Sequence, residues 1–457
     1  MVNKLSRDLM NDLATWKQRP DRKPLLIRGA RQTGKTWIVN EFGRQEYSNT
    51  LRIDFMRNKE AAGLFDGTLD PHTILDDLSI YTGINIRPGK TLIFFDEVQE
   101  CPRALTSLKY FCEEAPEQHV IATGSYMGIS KHQNDSFPVG KVNMLTLRPL
   151  TFFEYLDNAG QSRLVSILRE GTPERINNVF ARRLVEALRQ YMVVGGMPAV
   201  VAAYLNGADV QMVRNTQYEI LDAYDLDFSK HAPPRLLERI RLVWHTLPSQ
   251  LAKENRKFVY GVVRPGARAR DFEESIMWLR DYGIIHQIHC VTALREPLDS
   301  YIDTSTFKMF ASDIGLLGAL ANLDPAVIVD GKRVFTDFKG ALTEQYVCQQ
   351  LMAQDYGPSY WANPRGQAEV DFSISQNGSV YPIEVKAEQN LKARSLRYAC
   401  EHFSINHAIR TSLADYRDES WVANLPLWAI GGLRQFIACH AADWNAAASV
   451  PVADAEE

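Results

Sequence analysis

A chain of 457 residues, 45% of them hydrophobic and 23% charged, has the apolar material for several cores, enough for about three domains of ~150 residues each. Its net charge of −4 and pI near 6.2 supply no global positive field, so any binding to nucleic acid or anionic membrane must come from a local patch. No run approaches the ~18 apolar residues of a membrane span, and the six cysteines (Cys101, Cys112, Cys290, Cys348, Cys400, Cys439) stand singly without a CxxC pair, which predicts free thiols in a reducing, cytoplasmic setting.

Met1–Pro20 is charged and amphipathic and lacks the apolar stretch of a signal peptide. Pro24–Arg28 then reads as a short buried strand. It runs into Gly29, Ala30, Arg31, Gln32, Thr33, Gly34, Lys35 and Thr36, and a helical stretch opens at Trp37. This is GxxxxGK[ST] between the strand and helix that the motif requires. Glycines let main-chain N–H groups and a helix N-terminus close around phosphates. Lys35 is then placed for the β/γ-phosphates and Thr36 for Mg²⁺, so ATP and Mg²⁺ are the expected cofactors.

Leu51–Phe55 reads as a second strand. Thr91–Phe95 is a continuous apolar run, as suits a parallel strand buried on both faces. It ends in Asp96-Glu97, where an open α/β sheet binds ligands. Asp96 is placed to serve the Mg²⁺ and Glu97 to polarise an attacking water. His119–Thr123 is a further strand, ending in Gly124-Ser125-Tyr126. Thr123 or Ser125 could contact a γ-phosphate, and a plain turn explains the segment equally well. With Val142–Leu147 these make five strands of a doubly wound α/β sheet.

From Tyr155 to about Lys230 apolar residues recur at three- and four-residue spacing, which predicts helices forming a lid on the preceding domain. Gly195-Gly-Met-Pro198 interrupts them as a turn. Over 235–290 the order is helix, loop, helix, strand. Asp271 is the expected N-cap of Phe272–Arg280, with Glu274 completing a capping box and Gly283 ending the helix. Ile284–Cys290 reads as a wing strand, so the stretch is similar to a winged helix-turn-helix. Lys253, Arg256, Lys257, Arg264, Arg268 and Arg270 face a single acid, Glu254, within 253–270. Such a patch can neutralise DNA phosphates; a solvated face or an acidic protein partner accounts for it as well.

Near the C-terminus Ala368–Ser375 and Val380–Lys386 alternate around Asn377-Gly378, the signal for a two-residue type I′ hairpin. That turn pairs Gln376 with Ser379, and so sets Asp371 opposite Glu384 and Glu369 opposite Lys386. Strand periodicity puts these four on one face and Val370, Phe372, Ile374, Ile383 and Val385 on the other. Facing carboxylates are destabilising unless a cation shares them. The residues from Ser449 are small and acidic and read as a disordered tail.

The chain resembles a family of bacterial and archaeal AAA+-type ATP-binding proteins in which a P-loop domain precedes a long conserved domain of unknown function. The likeness is carried by Gly29–Thr36, Phe95–Gln99, Ala122–Ser125, Ser136–Gly140, Leu147–Phe152, Gly195–Pro198, Asp225–Lys230, Gly340–Glu344 and Glu369–Phe372, and spans roughly 20–430. It implies ATP hydrolysis; Ser125 or Thr123 could fill the role called sensor 1 in AAA+ proteins, and a homo-oligomer is among the partners in view. Where the family pattern has arginine after Gly140, Lys141 stands here, which leaves Arg148 as a substitute arginine finger. Asp371, Glu384 and Lys386 also resemble the PD-(D/E)XK nuclease fold, with Glu344 as its additional acid, although Val370 replaces the proline before Asp371. That resemblance implies a metal held by Glu344, Asp371 and Glu384. The expected organisation is a P-loop domain (1–155), helical lid (156–232), winged helix (233–308), nuclease-like α/β domain (309–445) and tail (446–457). The functions in view are an ATPase acting on DNA and an ATP-dependent switch whose C-terminal domain only binds DNA or protein.

Overall fold

The structure, a computed structural model, describes residues 4–125, 137–253, 257–324, 336–364, 366, 368–389 and 391–448. Tyr126, Ser136, Glu254, Arg256 and the expected tail from Ser449 lie outside the described residues. The chain divides into a unit of Ser6–Pro149 with Met277–Ile284 and a unit of Leu150–Ile276 with Ile285 onward.

In the first unit α1 (Leu9–Gln18) precedes β1 (Leu25–Arg28), α2 (Lys35–Glu46), β2 (Asn49–Asp54), α3 (Pro71–Thr82), β3 (Thr91–Asp96), α4 (Pro102–Glu114), β4 (His119–Gly124) and β5 (Asn143–Thr146). The five strands are parallel, in the order β2-β3-β4-β1-β5. Period-two alternation divides them between two cores. Leu25, Ile27, Leu92, Phe94 and Ile121 pack with Ile38, Phe42 and Trp16 on one face; Leu26, Ile93, Phe95, Val120 and Ala122 pack with Leu108 and Phe111 on the other. Both faces are covered, which is why these strands read as unbroken apolar runs.

The second unit begins with α5 (Phe152–Asn158), α6 (Ser162–Arg169), α7 (Asn178–Val194), α8 (Pro198–Leu205) and α9 (Val210–His231). Thr151 caps α5 in a full capping box with Glu154. The helices expected as a lid thus fall in the same unit as the C-terminal elements. Gln350 accepts from the N–H of Phe152 at 3.2 Å, and Asp313 accepts from that of Gly196 at 2.6 Å. A side chain at Gly196 would come within 2.1 Å of the Leu150 carbonyl, so the turn at 195–198 is there for close packing.

Then follow α10 (Leu237–Leu251), α11 (Tyr260–Val263), α12 (Ala269–Tyr282), β6 (Ile285–Val291), β7 (Ile302–Ala311), α13 (Ile314–Leu320), α14 (Thr336–Ala353), β8 (Ser359–Ala362), β9 (Glu369–Gln376), β10 (Ser379–Val385), α15 (Arg394–Phe403), β11 (Ala408–Ser412), β12 (Arg417–Asp418), β13 (Val422–Pro426) and α16 (Leu433–Ala448). Two expectations need correction here. Asp271 is not the N-cap: α12 starts two residues earlier, and Asp271 reaches back from its first turn to the N–H of Arg268 at 2.9 Å. Glu274 pairs with Arg235 at 2.9 Å rather than closing a capping box. The strand expected as a wing is present as β6. It pairs with β7 and β8 and continues one eight-stranded sheet of order β12-β13-β11-β10-β9-β8-β6-β7. The cysteines are all free, and no helix among the described residues is long and apolar enough to cross a membrane.

Candidate functional site

β1 delivers the chain into the glycine-rich loop at its C-terminal end. A Cβ on Gly29 would lie 2.2 Å from the Leu147 carbonyl oxygen. Gln32 (φ 64°) and Gly34 (φ 93°) turn the backbone through the left-handed region, and α2 opens directly at Lys35 with its first N–H groups facing the loop. A glycine-rich loop leading into a helix N-terminus fits a polyphosphate. Thr33 hydroxyl donates to Ala30 at 2.9 Å, and Arg7 donates to the Thr33 carbonyl at 3.1 Å and to that of Arg148 at 2.6 Å. Trp37 stands half-exposed one position after Thr36.

Lys35 is buried, its ammonium donating to the carbonyls of Gly29 (3.0 Å) and Ala30 (2.9 Å). Burial pushes its pKa down to about 8; Glu97 and Asp96 pull upward and Arg31 adds to the depression.

The strand order places β4 between β1 and β3, which brings three strand ends to one carboxylate. Asp96, 1% exposed, accepts from the Thr36 hydroxyl at 3.0 and 3.2 Å, from the Thr123 hydroxyl, and from Arg52 at 2.7 Å. Glu97 follows with φ 53° and ψ 49°, a left-handed conformation that strains a non-glycine residue, and Gln99 Nε2 donates to its Oε2 at 2.6 Å. Of the two residues expected at this strand end, Thr123 donates to Asp96. Lys141 forms a surface pair with Glu113 at 2.8 Å. The sequence reading missed Arg52 and Arg7; each acts through a strand register or a loop approach that no local motif encodes.

A second cluster lies in the C-terminal unit. Asn377 (φ 53°) and Gly378 (φ 76°) make the expected primed turn, and the register runs from Ser379↔Gln376 to Ile383↔Phe372. One step on, Val385 N–H donates to Asp371 at 2.8 Å, beside Glu384. Glu384 is 7% exposed and its Oε2 has no hydrogen-bond partner. Burial first, and then Asp371, raise its pKa well above the usual carboxylate range, against Lys386 and Lys308. A cleft of about 720 Å³ opens here, lined among others by Lys257, Asp303, Tyr360, Glu369, Asp371 and Glu384.

The expected pairing of Glu369 with Lys386 is not formed. Lys386 turns back to Glu384 at 2.5 Å, and Glu369 takes Lys308 of β7 at 2.5 Å. Lys308 is fully buried and also stands 3.6 Å from Glu344 on α14. Among the described residues no group of three His, Cys, Asp or Glu is assembled to hold a metal ion. Asp371 and Glu384 suit a cation; Glu344 is engaged by Lys308. Sequence reasoning missed Lys308 because β7 reaches this site through the sheet order and not through any nearby motif.

Residues 21–156 match the family model described as AAA domain, residues 185–327 one for a domain of unknown function, DUF8612, and residues 339–430 one for another, DUF4143. No curated protein matches the chain in sequence. Among solved structures it is similar to the Walker-type ATPase of Pyrococcus abyssi (13% identity, 70% of this chain and 96% of that one, TM-score 0.45). It is also similar to the Aeropyrum pernix ORC1 protein in complex with DNA (13%, 70% and 91%, 0.28) and to the Thermotoga maritima RuvB Holliday junction branch migration motor (13%, 64% and 90%, 0.28). These overlaps are loose. On the 21–156 match and the geometry of the loop, the chain carries an AAA+-type P-loop ATPase domain.

Proposed function

We propose that the protein hydrolyses ATP with Mg²⁺ and couples turnover to DNA binding by its C-terminal unit. In this reading the amides of 29–36 and the Lys35 ammonium hold the phosphates, and Thr36 with Asp96 holds the Mg²⁺. Bound Mg²⁺ neutralises charge on the phosphate oxygens. Glu97 orients and deprotonates the attacking water, and Gln99 fixes its carboxylate. Thr123 reports on the site through Asp96, with Ser125 just beyond. The observation that carries the reading is the convergence of Thr36 and Thr123 on the buried Asp96.

DNA enters the proposal through Lys253, Lys257, Arg264, Arg268 and Arg270, all exposed. Lys257 lies at once in this basic stretch and in the lining of the cleft that holds Asp371 and Glu384. A phosphate backbone following the basic stretch is thereby led to the two acids, where a divalent ion would allow phosphodiester chemistry beside Lys386. A role limited to binding is favoured by Lys308, which already compensates Glu344 and Glu369.

Fluorescence anisotropy of a labelled duplex tests the coupling. Binding should weaken steeply with salt, and the combined change K257A/R264A/R268A should lower the log–log slope by roughly 0.9 for each phosphate no longer neutralised. Duplex should also raise the rate of ATP turnover. An absence of duplex binding at low salt would defeat this part of the proposal. Plasmid nicking with Mn²⁺ separates the two roles: loss of cleavage in Glu384→Ala supports chemistry at the cleft, and no cleavage by the unmodified protein supports binding alone.

A further inference from the structure

Carboxylates brought together need counter-charge, and beside Lys386 on Glu384 part of it comes from an element outside the hairpin. Lys308 projects from β7 and is fully buried. It lies 2.5 Å from Glu369, 3.6 Å from Glu344 and 4.9 Å from the centre of the Tyr360 ring. An ammonium in that setting has given up its hydration, so the surrounding anions must replace it. The same charge also acts on Glu384, where it opposes the effect of burial. Glu384 shows what the cluster still lacks: its Oε2 is buried at the cleft with no hydrogen-bond partner. Asp371 is held in place by Val385 N–H at 2.8 Å. Asp371 and Glu384 therefore offer the cleft a pair of carboxylates in which Lys386 takes only Glu384 Oε1 and leaves Oε2 open, whereas Glu344 and Glu369 both face Lys308.

We propose that the Lys308 ammonium is a resident cation of the acidic cleft, competing with a divalent metal ion for Glu344 and Glu369 and so limiting metal loading to the weak Asp371–Glu384 pair. The proposal rests on the reading of Asp371 and Glu384 as metal-binding carboxylates. Lysine is suited to this role because its charge is a compact point that replaces a cation electrostatically, while its single positive charge neutralises less than a divalent ion does. Hard divalent cations take carboxylate oxygen ligands, and their affinity rises with the number of carboxylates offered. Displacing Lys308 would thus turn a two-carboxylate site into one with up to four.

The test is calorimetric titration of Mn²⁺ into the full chain without nucleotide, for the unmodified protein, Lys308→Met, Lys308→Arg and Glu384→Gln. Methionine keeps the length of the stem and removes the charge; arginine keeps the charge. The expected result is weak binding to the unmodified protein, lost in Glu384→Gln, unchanged in Lys308→Arg and at least tenfold tighter in Lys308→Met. Four carboxylates without compensation can prevent Lys308→Met from folding in chelator. Recovery of its cooperative thermal transition on adding Mn²⁺ then supports the proposal, and failure to recover overturns it. Equal Mn²⁺ affinity in the unmodified protein and Lys308→Met, abolished in Glu384→Gln, overturns the competition and leaves the metal-binding reading of the cleft standing. Absence of Mn²⁺ binding in every protein overturns both.

Discussion

The hydroxyl of Thr123, at the end of β4, donates to the carboxylate of Asp96 at the end of β3, and the hydroxyl of Thr36 in the phosphate loop meets the same carboxylate. The C-terminal ends of β3 and β4 and the first turn of α2 are thus tied through one buried acid. Removing the Thr123 donor leaves a charged acceptor short of one partner, a loss of about 1.5–3 kcal/mol for a bond to a charged group. Thr123→Val, which keeps the shape, is expected to slow ATP turnover by roughly 10- to 100-fold while nucleotide affinity changes little. Ser125→Ala should have a smaller effect. Steady-state kinetics of both variants provide the check; equal effects would remove Thr123 from its special place.

Glu97 holds a left-handed backbone with its carboxylate fixed by Gln99. Strain of this kind persists where surrounding structure enforces it, and a general base contributes about 10²–10⁴-fold. Glu97→Gln should bind ATP normally and lose turnover by about that factor. Gln99→Ala should lose part of it. Single-turnover assays with radiolabelled ATP would read both, and normal turnover in Glu97→Gln would show that the attacking water is served by another group.

Lys35 supplies a prediction in protons. Its folded pKa of about 8 lies below the ordinary lysine value of 10.5, so near pH 8 the free protein holds it about half protonated. Phosphate groups favour the charged form. ATP binding at pH 8 should therefore take up about half a proton, and the uptake should fade toward pH 6. Titration calorimetry in two buffers of different ionisation enthalpy measures it. Lys35→Arg, charged throughout, should take up none.

Asp313 caps α13 from a fully buried position and accepts from the N–H groups of Gly196 and Leu316 and from Gln349. Burial raises its pKa from 3.8 to about 6. A raised folded pKa contributes stability that is complete below the unfolded value and is lost as pH rises through the folded one. Relative to Asp313→Asn, the protein should lose about 3 kcal/mol between pH 4 and pH 6 and nothing further above. Thermal unfolding of the pair across that range supplies the measurement; a constant difference would contradict it.

Gly29→Ala isolates the steric demand of the phosphate loop. The added methyl would lie 2.2 Å from the Leu147 carbonyl, and overpacking of that kind costs about 1–3 kcal/mol. Nucleotide affinity should fall by about tenfold or more, with far-ultraviolet circular dichroism unchanged.

Local chemistry is the legible part of the sequence. Gly29–Thr36 and Asp96-Glu97 declare themselves because each is a contiguous motif following an apolar strand, and both-face burial shows as unbroken apolar strands. The hairpin register is readable for the same reason, since Asn377-Gly378 fixes the pairs from Ser379↔Gln376 to Ile383↔Phe372. Whatever depends on strand order is not. Thr123 reaches Asp96 only because β4 inserts between β1 and β3, and Arg52 only because β2 lies beside β3 in that register. Lys308 enters the acidic cluster from a strand some sixty residues before the hairpin. The place of β6 in the larger sheet is likewise hidden: Ile285–Val291 alternates as a strand in any sheet, and nothing in it names β8 as a neighbour.

The most direct test of the central claim is a calorimetric titration of ATP with Mg²⁺ into the purified protein and into Lys35→Ala, followed by phosphate release from the unmodified protein. One nucleotide bound per chain, lost in Lys35→Ala, together with steady phosphate release, is the predicted result. Folded protein that takes up no adenine nucleotide, or that binds it as tightly without Lys35, would contradict the account.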